Sequence, residues 1–119
     1  MADYEDFTID QGADVAIELH LQEADGSKKD LTAHSAAAKM KRSYNSVDSD
    51  EIVDFTTAIT EPVTDGILVL ALTNIQTNNL NPRTRYVYDV ELSFNDSDGN
   101  TIIERILEGK IKVTPSVTR

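Results

Sequence analysis

Few residues in this chain have the type and spacing for chemistry, and they fall in three places. His20 and His34 are the two histidines, fourteen positions apart. A zinc site gathers three or four nitrogen, sulfur or carboxylate ligands at short spacings. Here His20 lies on the polar side of a strand-like run, His34 lies in a polar connection, and cysteine is absent. Neither histidine suggests a shared metal or a proton-transfer role. Asp89 and Glu91 share one face of another strand-like run, about 7 Å apart by the strand rise. Glycoside hydrolysis uses two carboxylates at such a distance, but it also needs a cleft with aromatic walls. Tryptophan is absent and aromatics make up 6% of the chain, so a solvated strand face accounts for the pair.

The third place is Asp96-Ser97-Asp98-Gly99-Asn100. Alternate Asp96, Asp98 and Asn100 oxygens resemble the opening of a calcium loop, which in an EF-hand ends on a glutamate at position twelve between helices. Counted from Asp96, position twelve is Leu107, and strand-like runs flank the loop. Asp-Gly-Asn is also common chemistry for closing a hairpin. No glycine-rich phosphate loop, nucleophile elbow or helix-borne metal pair occurs. The expectation is a protein that is not an enzyme, with no catalytic, cofactor-binding or metal-binding residues.

Charge narrows the partners. With 21 acidic and 11 basic residues the net charge is −10, which argues against nucleic acid and against anionic membrane surfaces. It favours solubility and discourages self-association before assembly. Lys29, Lys39, Lys41 and Arg42 form a locally positive strip, read either as a solvated face or as a contact strip for an acidic neighbour. No run approaches the roughly 18–20 apolar residues that cross a bilayer. The acidic opening Met1-Ala2-Asp3-Tyr4-Glu5-Asp6 is unlike a secretory signal, so the chain is expected to be made and kept in a cytoplasm until something larger carries it out. Without cysteine, packing and hydrogen bonds must supply its stability.

The elements that would position these residues read as strands. Tyr86, Tyr88, Val90, Leu92 and Phe94 are large and apolar at every second position, with Val87, Asp89, Glu91 and Ser93 between them. Period two sends alternate side chains to opposite faces. The turn residues 95–100 and a second run from Thr101 to Val113 complete a long antiparallel hairpin, the natural centre of a sheet. Ile102, Ile103 and Ile106 break parity with Leu107, Gly109, Ile111 and Val113, which predicts a bulge near Arg105 or Gly109. Upstream, residues 1–6 read as a flexible acidic arm that Tyr4 and Phe7 could pin. Phe7–Ile9 is a short strand, and Val15, Ile17, Leu19 and Leu21 form one face of a longer one. Ala24–Ser27 is a turn. Ala36–Ala38 favours helix, but alternation of Ala38, Met40, Arg42 and Tyr44 against Lys39, Lys41 and Ser43 makes Ser35–Tyr44 a strand. Asn45–Glu51 is a polar loop, and Ile52–Thr60 reads as one strand with Val53, Phe55 and Ile59 in alternate register. After a turn around Pro62, Ile67–Leu72 is a greasy strand with Leu68, Leu70 and Leu72 inward. Thr73-x-x-Gln76 has the form of a capping box and predicts one helical turn to about Leu80, with Ile75 and Leu80 packing inward. Pro115 ends the last ladder and leaves residues 115–119 as a tail.

About seven strands and one short helical turn predict an all-β fold, an antiparallel immunoglobulin-like β-sandwich over residues 7–114. The Tyr86/Tyr88 pair, just after a short helical turn, resembles the tyrosine whose hydroxyl ties down the preceding corner in such domains. A Cys–Trp–Cys core is missing, which sets antibody-type domains aside. A small barrel is the alternative fold.

Four blocks carry a further resemblance: Asp14–Leu19, Lys39–Arg42, Arg85–Leu92 with its Tyr-Val-Tyr-Asp-Val-Glu-Leu run, and Arg105–Pro115 with Leu-Glu-Gly-Lys. They are similar to small virion proteins of tailed phages, those of contractile-tailed cyanophages most of all, and to the N-terminal immunoglobulin-like domain of phage baseplate upper proteins. That domain is an attachment module without catalytic residues. The resemblance implies a structural component of the virion, made in the host cytoplasm and joined to tail, baseplate or neck. Its partners would be other virion proteins and further copies of itself in a symmetric assembly. A capsid decoration protein and a carbohydrate-binding host-recognition domain are the alternatives.

Overall fold

The computed structural model describes residues 3–43, 52–82 and 85–117. Nine strands are described: β1 Asp3–Tyr4, β2 Phe7–Asp10, β3 Val15–His20, β4 Ser35–Lys41, β5 Ile52–Asp54, β6 Thr56–Ile59, β7 Ile67–Leu72, β8 Arg85–Asn95 and β9 Thr101–Thr114. A 3-10 turn, Val63–Asp65, precedes β7, and the helical turn α1, Asn74–Asn78, precedes β8. One sheet runs β1-β9-β8-β4-β5, with β2 also on β9; the other runs β3-β7-β6. The two close face to face as an immunoglobulin-like β-sandwich.

The β8–β9 hairpin is the spine, because β8 buries Tyr86, Tyr88, Val90 and Leu92 from one face. Each such side chain contributes roughly 1.5–3 kcal/mol before ordering entropy is subtracted. Leu68, Leu70 and Leu72 of β7 oppose them, all buried as the alternation requires. Phe94 is only half buried and stacks on His34, ring centroids 4.8 Å apart. The bulge is real. Val90 pairs with Leu107 but Glu91 pairs with Arg105, leaving Ile106 as the extra residue.

Three expectations change. The first is the flexible arm at 1–6, whose described part is held in the sheet. β1 pairs parallel with β9 at Leu107 and Glu108, and β2 continues along the same edge from Ile111 to Thr114. Ile9, 1% exposed, and Phe7, packed on the Tyr88 ring at 5.4 Å, draw the segment in. Second, Ile52–Thr60 is two strands in different sheets. β5 pairs with β4, β6 pairs with β7, and the chain crosses between layers at buried Phe55. Third, Ile75 is 72% exposed, and Thr77 fills the inward position instead, alongside Leu80. Its hydroxyl donates to the Ala13 carbonyl at 2.8 Å, so a polar residue can be buried there without an unmet bond. The described strand β4 ends at Lys41; Tyr44 and the predicted loop Asn45–Glu51 lie outside the described residues. In the tail, the Ser116 N–H donates to Gln11 Oε1 at 3.3 Å.

Candidate functional site

The candidate catalytic and metal-binding residues are kept apart by the fold. His20 Nε2 lies 2.6 Å from Glu18 Oε1 on the exposed side of β3. His34 Nδ1 bonds the Thr32 carbonyl at 2.9 Å. Among the described residues no group of three His, Cys, Asp or Glu side chains could share a metal ion. In the 96–100 loop, Asp96 Oδ1 accepts from the Asp98 and Asn100 N–H groups, both at 2.9 Å. That carboxylate therefore works as a cap inside the hairpin turn. Asp25 and Asp30 do the same two residues ahead, on Ser27 and Thr32. The hydroxyl and backbone donors of those residues hold both carboxyls below their ordinary value.

Asp89 and Glu91 stand on the outer face of the larger sheet, over an open basin of about 380 Å³ that Lys39, Lys41, Arg105 and Glu108 also line. Asp89 is ion-paired with Arg105 at 3.4 Å, and Arg105 reaches Glu108 at 3.6 Å. The first pair crosses from β8 to β9 and the second lies within β9; both are solvated and stabilise by a fraction of a kcal/mol each. The predicted basic strip is broken up in the same way. Lys39 pairs with Asp54 at 3.6 Å, while Lys29, on another part of the surface, lies between Glu23 and Glu104 at 3.6 and 3.7 Å.

The close geometry of the molecule lies at Tyr86 and Tyr88 of β8. The Asn81 N–H donates to the Tyr86 hydroxyl at 2.9 Å, which is the corner tie expected from the helical turn ahead of β8. Tyr88 donates to the Glu5 carbonyl, and burial pushes its phenol above the ordinary value, with the charges of Glu5 and Asp6 adding to the shift. With the Glu5 carbonyl turned inward, the Lys110 N–H is satisfied by Asp6 Oδ1 at 2.9 Å. Gly109 makes the turn possible, since a Cβ there would overlap the Glu5 carbonyl. The Glu5 backbone and the Asp6 carboxylate thus fasten the N-terminal segment to β9, a role that composition alone did not signal.

Beyond this clasp the outer edge of β9 meets no other strand among the described residues. Its pairing with β1 begins at Leu107, and among the described residues Thr101–Arg105 pair only with β8 and the bulged Ile106 has no strand partner. Ile102 and Ile103 on that stretch are 37% and 62% exposed. With 14 residues in β9, the hairpin spans most of the 49 Å long axis.

No family model and no curated protein matches this chain. Among solved structures, the chain is similar to murine CRIg, with a TM-score of 0.52, 18% identity and 92% of each chain covered. That likeness shows the immunoglobulin-like fold and nothing of activity. Among the described residues no helix is long and apolar enough to cross a membrane.

Proposed function

We propose that this chain is a non-enzymatic structural component of a tailed-phage virion, joined to the tail, baseplate or neck and made in the host cytoplasm. The observation that supports the assembly role is the open edge of β9 at Thr101–Ile106, with Ile102 and Ile103 exposed beside it. An unpaired ladder next to apolar side chains can take a neighbour's strand. The blocks Arg85–Leu92 and Arg105–Pro115, which carry the resemblance to phage virion proteins, form the spine bearing that edge. Other virion proteins and further copies of this chain would be the partners.

Mass spectrometry of purified particles is the direct test. The expected result is this polypeptide in fixed stoichiometry with the tail proteins, and its absence would end the reading. An antibody to the domain should label isolated tails; labelling of tail-free capsids would move the protein to the capsid surface as a decoration protein.

A further inference from the structure

Folding gathers a basic cluster that is scattered in the sequence. Lys41 on β4, Arg85 on β8, and Lys110 and Lys112 on β9 all stand on the outer face of the larger sheet, opposite the core residues Met40, Tyr86 and Ile111. Arg85 and Lys112 are direct cross-strand partners, and Lys41 and Lys110 flank Val87 one step further along. Neighbouring strands lie about 5 Å apart and same-face residues about 7 Å apart along a strand, so four cations share one small patch. None of the four is ion-paired among the described residues. Like charges placed directly opposite in a sheet are destabilising. Yet the chain has 21 acidic residues to distribute and leaves only seven basic ones elsewhere.

We infer that this patch is a docking surface for an acidic polypeptide segment of a neighbouring protein chain. The complementarity is electrostatic: a flat, half-exposed sheet face with four cations fits carboxylates spaced along an extended segment or loop. The remainder of the molecule carries a large excess of negative charge. That excess repels nucleic acid as a whole, whereas a short acidic peptide can meet the patch alone. The inference names partner chemistry for the assembly role proposed above and rests on it. The test uses isolated protein, so its result is independent of whether the chain is found in particles.

The experiment is fluorescence anisotropy with a labelled oligo-glutamate peptide at low ionic strength, with a labelled thymidine oligonucleotide in parallel. Wild type should bind the peptide, and Lys110→Glu should weaken binding about fivefold or more. Lys28→Glu, which makes the same change in net charge at a distant site paired with Asp65, should leave it nearly unchanged. Lys112→Glu has two readouts: it should lower peptide affinity while raising the melting temperature, because it places a carboxylate opposite Arg85. No peptide binding by wild type, equal loss in Lys28→Glu, or tighter binding of the oligonucleotide would each overturn the inference.

Discussion

Tyr88 sits where the core meets the N-terminal segment, 3% exposed and with its hydroxyl donating to the Glu5 carbonyl. Replacing Tyr88 by Phe keeps the ring and removes the donor to Glu5. Stability should fall by about 1 kcal/mol, with faster amide exchange at Lys110 as the clasp loosens. The pH dependence has a definite sign. The phenol is held above its usual value of about 10, first by burial and then by Glu5 and Asp6. The unfolded chain therefore loses that proton first. The contribution is whole below about pH 10 and is lost as pH rises toward the folded value. Denaturant melts across alkaline pH should fall less steeply for Tyr88→Phe than for wild type. Thr77 offers a second check. Thr77→Val leaves the Ala13 carbonyl without its partner and should cost about 1–3 kcal/mol, whereas Ile75→Ser on the exposed side should change stability by less than about 0.5 kcal/mol.

The N-terminal strand pair depends on a single missing side chain. Gly109 lets the Glu5 carbonyl approach β9, and Gly109→Ala forces backbone to move. The expected cost is about 1–3 kcal/mol. Hydrogen exchange should show that cost concentrated in residues 3–10, with the β8–β9 ladder beyond the bulge still protected. Uniform loss across both would show that the clasp and the hairpin open as one unit. The helical turn α1 was readable because a capping box is local: the Thr73 hydroxyl accepts from the Gln76 N–H, and the Gln76 side chain accepts from the Thr73 N–H. Which side of that turn faces inward was not readable. The preceding strand fixes the angle of approach, and that angle puts Thr77 over Ala13.

Across the molecule, Phe55 is where the layers are joined. It is buried, its N–H donates to the Ala38 carbonyl at 3.0 Å, and β5 and β6 leave it for opposite sheets. Phe55→Ala should cost about 3–5 kcal/mol in a single cooperative transition by calorimetry, because both sheets lose the same packing partner. The outer face of the larger sheet behaves differently. Lys39 pairs with Asp54 and Arg105 with Asp89 across strands, and Arg105 pairs with Glu108 along β9. These are exposed pairs of small worth, so changes there alter contacts with other molecules more than they alter the fold.

Hydrophobic alternation is a property of neighbouring residues, and it was enough to place β3, β4, β7, β8 and β9 and the inward leucines of β7. From the break in parity it also placed a bulge near Arg105 or Gly109, which falls at Ile106. The corner tie was expected of the Tyr86/Tyr88 pair from its place after the helical turn, and Tyr86 makes it. The fate of residues 3–6, the sheet change at Phe55 and the meeting of Lys41, Arg85, Lys110 and Lys112 depend on partners up to about a hundred positions away. No local pattern encodes those distances. Periodicity settles which way a side chain points, and only the closing of the two sheets settles what it meets.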